Sequence, residues 1–251
     1  DGGMDAVLAA LGAAQKRKPR FDHRFVVHHV GFHTNAQSRR LAALGAHASV
    51  NPYYIHALAD NYGLLGLGRE RADQIVRAGS MVRNGMRVSF HSDFMMAPME
   101  PLMLAWCAAT RTTRSGRQIS PDEMLDIHQA LKGITIDAAF ALRLDDEIGS
   151  ISAGKKADFA ILDDDPFELG ADNLKNVRVA GTVFEGEVHF LEESVSSVLA
   201  DHAFKPSPPS KAIYKQVANA CCSTDGDPCV FLRQLISLIN SSPKFTNQET
   251  S

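Results

Sequence analysis

The sequence predicts an α/β fold in which parallel βα units are followed by a small antiparallel β unit. Two observations carry this. Short β-branched runs alternate with helical periodicities as far as Phe90, the pattern of parallel strands with helices outside. After Leu142 the character changes to brief strand-like runs separated by turn residues.

Taken in order, Val7, Leu8 and Leu11 recur at helical spacing between Met4 and Gln15, and Pro19 stops that helix. Arg24 to Val30 (RFVVHHV) reads as a strand. Asn35 to Leu44 reads as a helix with Gly45 as its stop. Ala46 to Val50 is the second strand, closed by Asn51-Pro52 and followed by a long loop with short helices. Arg71 to Arg83 is expected as one amphipathic helix turning at Asn84-Gly85, and Met86 to Phe90 is a third strand ending in His91-Ser92-Asp93. Helices are expected at Pro101 to Thr110 and Pro121 to Leu142, the second with a capping-box-like start at Ser120-Pro121-Asp122-Glu123. Short strands are expected around residues 149–151, 154–156, 160–162, 177–184 and 187–191, with a hairpin turn at Glu185-Gly186. Beyond Glu193 comes a Pro/Ser-rich linker, then a short helix around Pro228 to Leu238 and a polar end.

The chain of 251 residues is 45% hydrophobic and 22% charged, ordinary values for a globular protein. A net charge of -3 gives no general pull toward nucleic acid or an anionic membrane. The basic run Lys16-Arg17-Lys18 with Arg20 reads as a solvated helix end. No apolar stretch approaches the roughly 18 residues that span a bilayer. The chain opens with Asp1-Gly2-Gly3 rather than Met, and three strands cannot close a barrel, so upstream sequence is expected. Cys107 reads as a buried thiol, and the tail cysteines match no paired CxxC zinc site. Localisation stays unassigned: cytoplasmic by default, exported if Cys221 or Cys222 forms a disulfide with Cys229.

Two strands end in metal-ligand residue types, at His28-His29 and at His91-Ser92-Asp93. Neighbouring residues on a strand face opposite ways, so only one of His28 and His29 can face an interior at a given depth. His56, in the segment after the second strand, is a candidate substrate contact. Met95 and Met96 could line an apolar pocket or simply pack. His33, His47, His128, His189 and His202 read as structural or solvated, and Gly63 to Gly68 as a loop without phosphate-binding geometry.

The stretch from Asp22 to Pro52 (DHRFVVHHVGF…LAALGAHASVNP) resembles strands six and seven of the amidohydrolase superfamily, in its amidohydrolase-3 branch, which includes N-substituted formamide deformylase-like enzymes. That branch has Arg-Ile-Glu-His-Ala-Gln, then a helix and Ala-Ser-x-Gln-Pro. His29 falls on the metal-ligand histidine; His28 stands where Glu is usual and Asn51 where Gln is usual. Ser92-Asp93, with Ala97-Pro98 and Pro101-Leu102, is similar to the Gly-Ser-Asp segment at strand eight, with Asp93 as the catalytic carboxylate and His91 in place of Gly. Asp1 to Val7 resembles the stretch after strand five, and Ile148 to Leu162 resembles the start of the β-sandwich.

The resemblance covers about residues 1–191. It implies the C-terminal part of a (β/α)8 barrel (1–147), a small β-sandwich (148–192), and a linker and tail with a short helix (193–251). It implies a hydrolase that cleaves a non-peptide C–N bond, amide or formamide-like, with a metal-activated water, the N-terminal half of the barrel lying outside this chain. The cofactor implied is a divalent metal, zinc by expectation, held by His29 and Asp93, with Asp93 as the catalytic group and His56 and His91 toward substrate. The expected partners are a small-molecule substrate and a second copy of the chain, with neither nucleic acid nor membrane. The chemistry suits these residue types: a divalent metal lowers the pKa of bound water to about 7 and polarises a carbonyl. A carboxylate can take the water's proton and return it to the departing nitrogen. A catalytic zinc site takes three protein ligands, and this chain supplies two that match, so alone it is expected to be a poor enzyme. Two other readings remain: a non-catalytic amidohydrolase-like regulatory or binding protein, and an interaction module made of the sandwich and tail.

Overall fold

The computed structural model describes residues 2–94 and 96–191. The tail cysteines, the linker and the helix expected near Pro228 lie outside the described residues, as does Met95. The chain is α/β and its described residues divide into two compact units: residues 2–150 with 162–179, and 151–161 with 180–191.

The first unit opens with helix α1 (Gly2–Arg17), which buries Met4, Leu8 and Leu11 on one face. Strands β1 (Val26–His28), β2 (His47–Val50) and β3 (Val88–Phe90) form a parallel sheet in the order β1-β2-β3. Parallel neighbours need crossovers, and helices supply them. Helix α2 (Asn35–Ala43) follows β1 and starts on a capping box: the Thr34 hydroxyl accepts from Gln37 N, and the Gln37 side chain accepts from Thr34 N. Gly45, at φ 73, turns the chain toward β2 as its sequence position predicts. Helix α3 (Tyr53–Leu65) follows β2 and is one continuous helix where a loop with short helices was expected.

The helix expected over residues 71–83 is two short ones, α4 (Arg69–Ala72) and α5 (Ala78–Arg83). Arg111 explains the break. This fully buried guanidinium donates to the carbonyls of Asp73, Ile75 and Val76, which a continuous helix would have used itself. Val76 sits at φ 50 and donates its N–H to Gly31 O. Helix α6 (Pro101–Thr110) is almost wholly buried. The helix expected over 121–142 is also divided, into a 3-10 turn (Pro121–Glu123), α7 (Ile127–Ile134) and α8 (Ile136–Ala141). The cap is not at Ser120. It is at Asp126, whose carboxylate accepts from Gln129 N. Glu123 instead turns inward, accepting from Ser80 N at 2.5 Å, from the Ser80 hydroxyl and from Arg77 Nε at 3.0 Å. A buried carboxylate is tolerable only with such partners.

Gly133 lets α7 approach β3 closely, since a Cβ there would come within 2.8 Å of the Phe90 ring. Residues 162–179 belong with this unit: α9 (Pro166–Leu169) leads to a 3-10 turn (Ala171–Asn176) that buries Leu174 and sets Lys175 Nζ 3.9 Å above the Trp106 ring.

The second unit centres on a sheet in the order β4 (Phe159–Leu162), β5 (Val179–Phe184), β6 (Glu187–Phe190), with β5 and β6 antiparallel. Glu185 and Gly186, both at positive φ, make the expected hairpin turn. Residues 149–151 and 154–156 are turns rather than strands; Gly154 lies at φ 89 and Lys155 N closes a turn on Ser152 O.

Candidate active site

The ends of β1 and β3 are tied to the central strand between them. His29 donates its N–H to Ser49 O at 2.9 Å, and His91 donates its N–H to Val50 O at 3.0 Å. Both chains then leave the sheet, with His29 at φ 68 and Asp93 at φ 50. A left-handed backbone costs a non-glycine residue about 1 kcal/mol or more and recurs at functional sites.

The result is a cluster at one end of the sheet. His29 Nδ1 lies 3.9 Å from Asp93 Oδ2, with both side chains about half exposed. His91 Nε2 lies 3.1 Å from His29 Nδ1, and the two rings meet edge to face. His28 ends β1, exposed, with its ring centroid 6.3 Å from that of His29 and 6.1 Å from that of His91. The other nitrogen of His91, Nδ1, shares a hydrogen bond of 3.0 Å with Ser49 Oγ. Burial, reinforced by His29 and His28, pulls the His91 imidazole down to about 4, so it is neutral at ordinary pH.

The structure thus brings His29, His91 and Asp93 together, and leaves His56 apart from them. On α3, His56 packs its ring on Tyr53 and Trp106 and directs Nδ1 to Thr112 O at 3.1 Å. Two polar residues of the cluster fall in the Ala-Ser-x-Gln-Pro resemblance (Ala48 to Pro52), which assigned neither of them a role. Ser49, 5% exposed, uses its carbonyl for His29 and its hydroxyl for His91. Asn51, fully buried, donates to Ser92 O at 2.9 Å and accepts from Tyr53 N at 3.0 Å, fixing the residue before Asp93. The available signals were that pattern and position: both lie at the end of the strand between the two that lead into His29 and His91.

An imidazole and a carboxylate 3.9 Å apart and open to solvent have the donor types, and roughly the spacing, of two ligands on one small divalent cation with bonds of about 2.0–2.2 Å. They fit part of a metal centre without closing one, since no three His, Cys, Asp or Glu side chains converge as a ligand set among the described residues.

A model of the Amidohydrolase family matches residues 1–190. N-substituted formamide deformylase of Arthrobacter pascens is 29% identical over 192 residues, covering 74% of this chain and 34% of that protein. The putative amidohydrolase YtcJ of Bacillus subtilis is 23% identical over 198 residues, covering 74% of this chain and 37% of that protein. The chain therefore spans about a third of the length of these curated relatives. Among solved structures, an uncharacterized metal-dependent hydrolase from Pyrococcus horikoshii superposes with a TM-score of 0.50 at 21% identity, over 60% of this chain and 29% of that one. An adenosine deaminase from Xanthomonas campestris, solved with bound zinc, gives 0.50 at 18% identity, over 75% and 43%. At such identities the likeness is one of fold.

Proposed function

The chain belongs to the amidohydrolase family, and from that premise we propose that it forms part of a metal-dependent hydrolase that cleaves a non-peptide C–N bond of amide or formamide type. The observation that carries this reading is the meeting of His29 and Asp93 at the ends of strands that flank a common neighbour. On this reading the three parallel strands are the last three of a (β/α)8 barrel, whose active sites lie at the C-terminal ends of strands. The separate three-stranded sheet is the β-sandwich portion.

His29 and Asp93 would hold the divalent ion, with zinc the metal that a histidine–carboxylate donor set favours. Such an ion, when bound, lowers the pKa of a water to about 7 and polarises the carbonyl under attack. The chain's own residues do the rest. Asp93 accepts the proton that the attacking water loses and returns it to the nitrogen as the C–N bond breaks. His91, neutral and beside His29, narrows the space around that ring at the position where the resembled Gly-Ser-Asp pattern has glycine. A small-molecule substrate is proposed as the partner, and His56 as a contact acting from the Trp106 side of the unit.

The test is turnover of N-substituted formamides and related amides by protein carrying these residues at the length of the relatives. Asp93→Asn is expected to lower turnover at least about 100-fold with thermal stability unchanged, because the side chain is half exposed. Normal turnover by Asp93→Asn contradicts Asp93 as the catalytic carboxylate, whereas no turnover by the unaltered protein favours a binding protein of the same family, the alternative to which the replacements at His28 and His91 point.

A further inference from the structure

We infer that Tyr54 is a further substrate-contacting residue of this site: from the first turn of α3, its hydroxyl donates a hydrogen bond to the carbonyl oxygen of the amide held beside His29 and Asp93. The inference deepens the hydrolase reading and takes the amide carbonyl from it.

Asn51 brings the start of α3 to the candidate site. Its side chain donates to Ser92 O at 2.9 Å and accepts from Tyr53 N at 3.0 Å, and its backbone carbonyl accepts from Tyr54 N at 3.2 Å. One fully buried residue therefore joins the first turn of the helix to the residue before Asp93.

The helix then divides its faces. Tyr53 and His56 turn to one side, where the His56 ring packs on Trp106. Ile55 and Ala59 are fully buried in the core. Tyr54, Leu58 and Tyr62 recur four residues apart, so they share a third face. The far end of that face reaches the turn after β1, where the Tyr62 ring lies 6.3 Å from the ring of Phe32, three residues past His29. Its near end is at Asp93, whose charge is felt at the Tyr54 phenol. The face therefore extends from the turn after β3 to the turn after β1, the two turns that carry Asp93 and His29.

Tyr54 has the chemistry that this position calls for. It is partly buried, and among the described residues nothing hydrogen-bonds its hydroxyl. Burial, then the negative charge of Asp93 and the neighbouring Tyr62, hold the phenol above its ordinary pKa, so it keeps its proton and is a donor. When water adds to an amide carbonyl, negative charge gathers on the oxygen, and a donor already in place stabilises that charge. Asp93 acts on the water and the departing nitrogen, and Tyr54 on the oxygen, so the two roles are separate.

The experiment compares Tyr54→Phe, which keeps the ring and removes only the hydroxyl, with the unaltered protein, using N-methylformamide as the probe. Turnover is measured in protein at the length of the relatives. In this chain, labelled at its tyrosines, contacts between the formyl proton of the probe and the rings are read by nuclear Overhauser spectroscopy. Tyr54→Phe is expected to lower kcat about 100-fold and to change KM by less than about 10-fold, with an unchanged thermal midpoint. Tyr62→Phe, at the far end of the same face, should leave kcat unchanged. An unchanged kcat in Tyr54→Phe overturns the inference, as does an equal loss in Tyr62→Phe, which would assign the effect to the face and not to the hydroxyl at Asp93. If the unaltered protein hydrolyses neither this probe nor related amides, the hydrolase reading falls on its own. A formyl contact to the Tyr54 ring then keeps Tyr54 as a carbonyl-binding residue, and the lack of one removes it.

Discussion

His29 Nδ1 and Asp93 Oδ2 lie 3.9 Å apart although they end strands that do not touch each other. The strand between them makes this possible. Ser49 and Val50 take the N–H groups of His29 and His91, and Asn51 takes the carbonyl of Ser92. Alignment of the two functional groups is therefore a property of β2, and disturbing β2 should disturb both.

Asn51→Ala tests this. The substitution leaves the Ser92 carbonyl and the Tyr53 N–H without the buried amide that now serves both. Each unsatisfied buried group costs about 1–3 kcal/mol, so the free energy of denaturant unfolding is expected to fall by about 2 kcal/mol, with a lower midpoint. The His29 ring signals should broaden in the same protein. An unchanged midpoint shows that Asn51 is not what secures the Asp93 turn.

A second expectation concerns Glu123, whose side chain has no solvent exposure and holds Ser80 and Arg77. Breaking a buried pair strands its partner and costs about 3–5 kcal/mol. Glu123→Ala should therefore be among the more damaging single changes in the first unit, read as a loss of that size in chemical denaturation. A loss below 1 kcal/mol would mean that α5 and the Pro121–Glu123 turn are held by packing alone.

His33 predicts a pH dependence. It is 4% exposed, both ring nitrogens lack a hydrogen-bond partner, and burial, with Arg77 adding to it against the opposing charge of Glu123, pulls its pKa down to about 4. The folded state therefore takes up this proton less readily than the unfolded chain, where the value is about 6.5. The stability linked to His33 is complete above about 6.5 and is lost as pH falls toward 4, to a maximum of about 3 kcal/mol. His33→Leu should flatten the stability profile across that window. His47, also lowered by burial, remains in both proteins, so the difference between the curves reports His33. Parallel curves would show that His33 reaches solvent when charged.

How far the sequence could be read depended on what each element answers to. The strands at β1, β2 and β3 were legible because periodicity is a local signal; strand-end chemistry offered His28, His29 and Asp93, and the family resemblance singled out His29 with Asp93. The breaks in the two long helices were not. Arg111 and Glu123 lie far along the chain from the carbonyls and N–H groups they capture; in isolation Arg111 reads as an ordinary charge and Glu123 as part of a capping box. The tight packing of His56 against Trp106 is likewise a contact between helices that spacing does not reveal. Ser49 lies within the Ala-Ser-x-Gln-Pro resemblance, but its contacts were hidden for another reason: a small polar residue in a short strand meets two histidines only when they arrive from either side.

The most direct measurement of the central claim is zinc-edge anomalous scattering from crystals of this chain grown in excess zinc. The account predicts a peak within bonding distance, about 2.0–2.2 Å, of a His29 ring nitrogen and an Asp93 carboxylate oxygen, absent from Asp93→Asn crystals. Zinc bound only elsewhere, or a peak at His29 that persists in Asp93→Asn, would contradict it.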